Sequence, residues 1–251
     1  MKTDGLHRID FLSHTGEFLA DVLFPRTCIG CGRVGTYLCD ACLRATPRKQ
    51  EYSCPFCEIV LVPEGRTCLS CAPNHMLDGI FSATGFREAK TVAQVIHVLK
   101  YEYVRELASP LGTLLAEAAS RTELPLPDFL VPVPLHSWRF RYRGFNQSAL
   151  LAQAFASAFI PDLPILVRED LLVRHRFTLP QAKSHTAKER RENLKGAFSL
   201  SKDARFAKKE LKGRIVWLFD DVATTGATLE ECAKVLKKFG VKKVFGIVVA
   251  R

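Results

Sequence analysis

The sequence predicts an α/β protein in which a parallel sheet follows a small N-terminal domain built around cysteines. Two observations carry this prediction. After Pro73, short apolar runs typical of strands alternate with amphipathic segments typical of helices, an order that favours a parallel sheet. Before Pro73, eight of the nine cysteines fall in Cys-x-x-Cys pairs within a stretch rich in Gly and Pro. We therefore predict two domains, residues 1–75 and residues 76–251.

The N-terminal region begins with one predicted helix over residues 8–24, which has an apolar face and is ended by Pro25. The first residues lack the basic-then-apolar order of a signal sequence. No apolar run approaches the roughly 18 residues that a transmembrane helix needs. We therefore expect a cytoplasmic protein with no membrane insertion.

The cysteines form two repeated units of two knuckles each. They are Cys28, Cys31, Cys39 and Cys42, followed by Cys54, Cys57, Cys68 and Cys71. Paired thiols in a reducing compartment indicate metal ligands rather than disulfides, and two knuckles supply the four ligands of a closed zinc site. We predict two structural Zn²⁺ ions, with sequential pairing the simplest arrangement; interleaved pairing and iron–sulfur clusters are the alternatives. Loss of Cys57 is then expected to unfold the cysteine region and leave the α/β domain largely folded. The ninth, Cys232, is expected to be a core residue.

The α/β region contains five predicted strands and five predicted helices. The strands are Gly79–Phe86, Asp128–Val133, Leu171–Val173, Ile215–Phe219 and Lys243–Ala250. The helices are Thr91–Lys100, Leu107–Ser120, Gln147–Phe159, Ala187–Leu194 and Leu229–Phe239. Ile215–Phe219 is continuously apolar, which is typical of a strand buried on both faces. A basic loop is expected directly after Val133.

The positive charge of the chain is concentrated in one segment. The formal net charge is +10, and residues 134–214 hold 17 Lys and Arg against 7 Asp and Glu. The rest of the chain is balanced, because 36 − 17 leaves 19 basic and 26 − 7 leaves 19 acidic residues. A local positive field of this kind suits ligands that carry phosphate, although a solvated basic surface would have the same composition.

The strand Ile215–Phe219 leads into two acids, a loop of small residues and threonines, and a helix. Amide groups of such a loop and of the first helical turn converge on one point, where the helix dipole adds positive potential, so a phosphate fits there. Carboxylates would repel a phosphate, and Asp220 and Asp221 are therefore expected to hold sugar hydroxyls or a bridging Mg²⁺. The loop has neither Walker nor dinucleotide-binding glycine spacing.

Arginines alternate with aromatic residues after the string Val-Pro-Val-Pro-Leu-His at residues 131–136. Trp138, Arg139, Arg141 and Arg143 offer stacking surfaces and phosphate clamps, which are the tools of single-stranded nucleic-acid sites; Arg190, in a later charged helix, is a further candidate. The alternative is a set of core aromatics with a solvated basic edge. His136 is either a phosphate-loop donor, a general acid or base, or an ordinary surface histidine.

The segment from Ile215 to Thr228 resembles the phosphoribosyl pyrophosphate (PRPP) motif of type I phosphoribosyltransferases. The resemblance implies that Asp220 and Asp221 hold the ribose hydroxyls and that the loop after them holds the 5-phosphate. That loop comprises Ala223, Thr224, Thr225, Gly226, Ala227 and Thr228. It also implies that Mg²⁺ accompanies PRPP, and Pro134, Leu135 and His136 become candidates for the loop that binds the pyrophosphate.

Taken together, the motifs resemble the ComF family of competence-associated, phosphoribosyltransferase-like proteins. Further strings that carry the resemblance are Leu99-Lys100-Tyr101, Arg-Gly-Phe-Asn-Gln-Ser at 143–148, Gln181 with Arg190 and Asn193, and the terminal Ala-Arg. The family implies a type I phosphoribosyltransferase-like sheet, PRPP binding, and a role in DNA uptake with single-stranded DNA and uptake-machinery proteins as partners. The alternatives are a true transferase acting on an unidentified nucleobase or amine in nucleotide metabolism, and a regulator that uses PRPP as an effector. No base-binding hood and no catalytic residue is recognisable.

Overall fold

The structure is a computed structural model that describes residues 25–160, 165–177, 187–202 and 208–251. The predicted helix over 8–24 and Gln181 lie outside these residues. The chain divides into two compact units, Met1–Ala45 and Thr46–Arg251. The first unit holds the first cysteine cluster and the short helix α1 (Asp40–Arg44). The division falls before the second cysteine cluster, whereas the sequence suggested a boundary after residue 75.

The larger unit is built on a five-stranded sheet in which all neighbouring strands are parallel. Its strands are β1 (Gly79–Thr84), β2 (Phe129–Pro132), β3 (Leu166–Val167), β6 (Ile215–Val222) and β7 (Lys243–Ala250), in the order β1-β7-β6-β2-β3. Two further strands, β4 (Leu172–Arg174) and β5 (Phe198–Leu200), form a separate antiparallel pair. The predicted fold, a parallel α/β sheet with cysteine clusters at the N-terminal side, is confirmed.

Seven helices accompany the strands in the described part of the larger unit. They are α2 (Lys90–Tyr101), α3 (Ala108–Ala119), α4 (Ser137–Arg143), α5 (Gln147–Phe159), α6 (Ala187–Leu194), α7 (Lys208–Leu211) and α8 (Ala227–Lys238). The expected basic loop was wrong, because its central residues form α4. Strand β6 also continues through the acidic pair, three residues beyond the predicted end at Phe219. Among the described residues, no helix has the length and apolar character needed to span a membrane.

The sheet buries both of its faces, as the continuous apolar run in β6 predicts. On one face the Trp217 and Phe219 rings lie 5.9 and 4.9 Å from the Phe155 ring of α5. On the other face Val216 and Leu218 join an apolar cluster that includes α8. Cys232 of α8 belongs to this cluster and is fully buried, which confirms the prediction of a core cysteine.

The second cysteine segment is joined to the sheet by hydrogen bonds between side chains and main-chain groups within the larger unit. The Tyr52 hydroxyl donates to the Ser82 carbonyl at 2.8 Å, and the Arg251 guanidinium donates to the Pro55 carbonyl at 3.0 Å. The Glu230 carboxylate, in the first turn of α8, accepts from the amides of Met76 and Leu77 at 3.0 and 3.1 Å. Hydrogen bonds therefore join α8, the helix after the threonine loop, to the chain that follows the second cysteine cluster.

Candidate functional site

Each four-cysteine set forms one cluster, so the pairing of the knuckles is sequential. The sulfur atoms of Cys28, Cys31, Cys39 and Cys42, and those of Cys54, Cys57, Cys68 and Cys71, lie within 4.8 Å of one another. The Cys31–Cys39 and Cys57–Cys68 sulfurs are 3.7 and 3.9 Å apart. A tetrahedral site with Zn–S bonds of about 2.3 Å places its sulfurs about 3.8 Å apart. Both clusters fit a structural zinc ion.

The two clusters also share their local electrostatics. Burial raises the pKa of Cys28, but amides of Cys39, Cys31 and Gly30 outweigh it and lower that pKa to about 6. Cys54 has the same balance, and its pKa is also lowered to about 6. In the first cluster the Cys39 amide donates to the Cys28 sulfur, and in the second the Cys68 amide donates to the Cys54 sulfur, each at 3.4 Å. Amides aimed at sulfur stabilise thiolate, the form that binds metal.

The acidic pair lies at the end of β6, where the strand reaches the edge of the sheet. Asp220 Oδ1 accepts from the Ser148 hydroxyl at 3.1 Å and from the Asp221 amide at 2.9 Å. Asp221 is 3% exposed, and its Oδ1 lies 2.8 Å from the Lys100 ammonium. The two carboxylates therefore have different surroundings, since one is held by hydrogen bonds and the other by a buried ion pair.

Burial and the opposing charges determine how these groups ionise. Burial and the neighbouring Asp221 carboxylate raise the pKa of Asp220 to about 7, against the smaller effects of Lys100 and Ser148. Burial lowers the pKa of Lys100, but the carboxylates of Asp221 and Asp220 outweigh it and raise that pKa overall. The carboxylates of Asp221 and Asp220 thus keep the Lys100 ammonium in its charged form.

The threonine loop turns directly into helix α8. Gly226 is the N-cap of α8 with φ of +69°, a left-handed conformation that a side chain disfavours. A Cβ at this position would lie 2.6 Å from Ile80 Cδ1. The Thr225 hydroxyl is buried and has no hydrogen-bond partner among the described residues. The Glu230 amide donates to the Gly226 carbonyl at 2.9 Å and so begins the hydrogen bonding of α8, whose N-terminal end is the kind of site that favours an anion.

The acidic pair forms one wall of a cleft of about 580 Å³. Of the predicted PRPP residues, Asp220, Asp221 and Thr228 line it, and so do Pro134 and Leu135 of the predicted pyrophosphate loop. Of the predicted nucleic-acid residues, Trp138, Arg139 and Arg143 line it as well. The structure therefore brings three separately predicted sets of residues into a single cleft.

Helix α4 places the alternating arginines and aromatic residues of positions 138–143 on different faces than a strand or loop would. At about 100° per residue, positions 138 and 142 share a face, as do 139 and 143, while 140 and 141 turn away. The Trp138 and Tyr142 rings are stacked at 5.8 Å and nearly parallel at 5°. Arg139 and Arg143 line the cleft, whereas Phe140 and Arg141 do not. The predicted nucleic-acid set is thus divided by helical geometry.

Several predicted residues lie elsewhere. His136 is the N-cap of α4, and its Nδ1 accepts from the Trp138 amide at 3.2 Å; it does not line the cleft. The remaining loop residues, Ala223, Thr224, Thr225, Gly226 and Ala227, shape the turn behind the cleft rather than its wall. Arg190 belongs to α6, and its side chain lies outside the described part of the chain.

Two cleft cations were not predicted as site residues. Lys100 lies in the last turn of α2, beside that helix's apolar face. Its sequence signal is the string Leu99-Lys100-Tyr101, which carries the family resemblance but assigns the lysine no role in the site. Arg174 lies in β4, and no motif marks it. Burial lowers the pKa of Arg174 and of Arg139, and repulsion between neighbouring guanidinium groups lowers both further. Crowded guanidinium groups of this kind create positive potential in the cleft.

The chain is similar to curated proteins of bacterial DNA metabolism. It is 34% identical to the DNA utilization protein YhgH of Escherichia coli K12 over 217 residues, which is 82% of this chain and 87% of that one. The corresponding protein of Salmonella typhi is 33% identical with the same coverage. The competence protein F of Haemophilus influenzae is 40% identical over 141 residues, which is 56% of this chain and 57% of that protein.

The chain belongs to the ComF family. The predicted membership of this family is therefore confirmed over more than two thirds of the sequence. No family model matches this ComF chain. Among solved structures, an allosteric regulatory enzyme of purine biosynthesis matches with a TM-score of 0.36 and 18% identity, over 57% of this chain and 26% of that one.

Proposed function

We propose that the chain binds PRPP in the cleft and acts in the uptake or utilization of DNA. The observation that carries the proposal is the convergence of the acidic pair, the N-terminal end of α8 and a group of cations on one cleft. Asp220 would hold the ribose hydroxyls, and the loop from Ala223 to Thr228 the 5-phosphate. The competence and DNA utilization names of its relatives support the second half of the proposal.

The groups that line the cleft, and the loop next to it, match the chemistry of PRPP. The buried, unpartnered Thr225 hydroxyl and the left-handed Gly226 beside it suit a phosphate that approaches the main chain closely. Arg139, Arg143 and Arg174 would neutralise the diphosphate, since guanidinium groups bind phosphate oxygens in pairs. Mg²⁺, when bound with PRPP, would screen the same diphosphate charge.

Single-stranded DNA is the second ligand in this proposal. Trp138 is 54% exposed and stacks on Tyr142, so the mouth of the cleft offers an aromatic platform beside two guanidinium groups. Stacking of a base on such a platform contributes about 1–3 kcal/mol and depends little on base identity. A strand bound there would use its phosphates and one or more unstacked bases.

A true transferase is the alternative function. Tyr101 and Tyr103 line the same cleft as the carboxylates, and an acceptor bound against their rings would lie in the same cleft as the ribose. Tyr103 has a left-handed backbone with φ of +63°, and such strain in a non-glycine residue is typical of ligand sites. Release of pyrophosphate from PRPP with candidate nucleobases or amines would favour this alternative.

Calorimetry with PRPP tests the first half of the proposal. Asp220→Asn should weaken binding about tenfold or more, which corresponds to about 1.4 kcal/mol, because ribose contacts are lost. Asp170→Asn, an exposed acid paired with Arg168, is the matched control and should leave the affinity unchanged. Equal affinity of wild type and Asp220→Asn would count against PRPP in this cleft.

Filter binding of a single-stranded oligonucleotide tests the second half. Arg139→Gln and Arg141→Gln remove the same charge from the same helix, but only Arg139 lines the cleft. Arg139→Gln should flatten the slope of log affinity against log salt by about 0.7, the contribution of one neutralised phosphate, and Arg141→Gln should not. Identical slopes for the two variants would place the DNA elsewhere.

A further inference from the structure

Lys100 is held in the cleft by the helix that carries it. The apolar face of α2 is formed by Val92, Ile96 and Leu99, all buried. At about 100° per residue, position 100 lies about 40° from position 96, at the edge of that face. The side chain therefore leaves the helix beside the core and reaches the end of β6 rather than solvent.

The ammonium group of Lys100 is engaged by one carboxylate of the acidic pair. Its Nζ lies 2.8 Å from Asp221 Oδ1, and the Asp221 side chain is almost fully buried. The other oxygen, Oδ2, is buried and has no hydrogen-bond partner among the described residues. The buried charge of Asp221 is thus balanced at contact distance by a lysine, and a buried carboxylate depends on such a partner.

A divalent cation at Asp221 would compete with this ammonium. Mg²⁺ requires a close shell of oxygen ligands in near-octahedral geometry, and Asp221 Oδ1 already contacts Lys100 at 2.8 Å and accepts from the Val222 amide at 2.7 Å. Arg139, Arg143 and Arg174 line the same cleft and oppose a free cation further, although they attract a polyanion. Asp221 therefore does not fit the role of a metal ligand while Lys100 is in place.

We propose that Lys100 is the resident cation of the acidic pair, so that PRPP binding at this cleft depends only weakly on Mg²⁺. This inference rests on the proposed PRPP function. Lys100 neutralises Asp221 and leaves Asp220 as the carboxylate that faces the ribose. Lys100 is thus a positioning residue that holds Asp221 in place, and a metal would enter with the diphosphate rather than through the pair.

Mn²⁺ binding, followed by electron paramagnetic resonance on the zinc-loaded full chain without PRPP, tests the inference directly. Lys100→Met keeps the length of the stem and removes the charge. It should bind one Mn²⁺ at least about tenfold more tightly than wild type. That gain should vanish in the Lys100→Met/Asp221→Asn double variant. Lys90→Met, at the exposed start of the same helix, is the matched control and should behave as wild type.

Two further variants cover a Lys100→Met protein that fails to fold. Lys100→Arg retains the charge and should bind Mn²⁺ as weakly as wild type. Asp221→Asn alone should leave the Mn²⁺ affinity of the chain unchanged, since Lys100 already excludes the ion. Mn²⁺ binding by wild type that Asp221→Asn abolishes would overturn the inference, and so would a folded Lys100→Met that gains no Mn²⁺ site.

Calorimetry with PRPP separates this inference from the proposed function. The buffer is freed of Mg²⁺ by a method that uses no chelator, because a chelator would also remove the zinc. In this buffer the PRPP affinity of wild type should fall by less than about threefold. Lys100→Met should lose about tenfold or more under the same change. Absence of PRPP binding in every variant would refute the proposed function and leave the Mn²⁺ result standing, whereas an equal dependence on Mg²⁺ in both proteins would refute the role of Lys100 alone.

Discussion

Glu230→Ala should destabilise the larger unit, because this carboxylate holds the second cysteine segment against α8. Glu230 is 7% exposed and accepts from the amides of Met76 and Leu77 at 3.0 and 3.1 Å. Alanine leaves both amides without an acceptor. Leu77 is 1% exposed, so water cannot readily replace the lost partner there, whereas Met76 is 44% exposed and can be rehydrated.

The size of the effect follows from these two amides. A hydrogen bond to a charged group contributes about 1.5–3 kcal/mol, and a buried donor left unsatisfied costs about 1–3 kcal/mol. One buried and one partly exposed donor give an expected loss of about 2–4 kcal/mol in the free energy of unfolding. For a unit of this size that corresponds to a fall in Tm of roughly 5–15 °C.

Urea unfolding, followed by far-ultraviolet circular dichroism at fixed zinc, measures this loss. Glu117→Ala is the matched control, because Glu117 also lies on a helix but forms an exposed ion pair with Arg48 at 2.9 Å. Exposed pairs contribute about 0–1 kcal/mol, so the control should shift the midpoint little. A Glu230→Ala protein within about 0.5 kcal/mol of wild type would refute the reasoning, since that is the range of neutral surface substitutions.

Two further outcomes are expected. Cys57→Ser should reduce the bound zinc from two ions to one and lower the Tm of the sheet-containing unit, because the second cluster lies in that unit and not in a separate domain as the sequence suggested. Cys31→Ser should lose the other ion without that fall; metal analysis with thermal melts of both variants decides this, and equal melts would contradict it. Gly112→Ala should destabilise by about 1–3 kcal/mol, because its Cβ would lie 2.5 Å from Ala154 Cβ at the contact of α3 and α5; an unchanged urea midpoint would show that the helices separate at no cost.

The elements that the sequence predicted well are those with a strong period and a clear boundary. Helix α5 spans the predicted residues Gln147–Phe159, and β7 spans the predicted Lys243–Ala250. The parallel sheet followed from the alternation of strands and helices, and the clustering of thiols from the Cys-x-x-Cys spacing. In these cases local pattern and tertiary structure favour the same state, and pattern alone was enough.

Helix α4 shows where such reasoning fails. Strict alternation of arginines and aromatics over residues 138–143 has the period of a strand, yet these residues join none of the described strands. His136 makes an isolated parallel bridge to Arg174, and its side chain caps the helix that follows. The end of β6 was misplaced for a related reason. Acids normally mark the end of a buried strand, but here Lys100 and Ser148 satisfy them, so the strand continues to Val222.

The positions of Lys100 and Arg174 depend on tertiary structure that no local pattern encodes. Arg174 comes from the antiparallel pair β4–β5, whose strands are three residues each, and its guanidinium stacks on Phe198 at 5.3 Å. The sequence predicts a strand at Leu171–Val173, one residue from β4, but that prediction does not say that Arg174 reaches the cleft. The sequence alone therefore could not distinguish Arg174 from the other basic residues of this segment.

The charge available to a polyanion differs from what composition suggested. Part of the excess in residues 134–214 is neutralised by an acid outside the segment, because Arg214 bonds to Asp128 at 2.7 Å. Arg168 is also occupied, since it bonds to Asp170 and Glu210 within the segment. The cleft itself holds four cations and two acids, and 4 − 2 leaves +2. Those cations come from three elements far apart in sequence, α2, α4 and β4. Affinity for a diphosphate or a nucleic-acid strand should therefore depend on these few residues and not on the net charge of the segment. Arg139 and Arg141 make the decisive comparison, because they lie on one helix and only Arg139 lines the cleft.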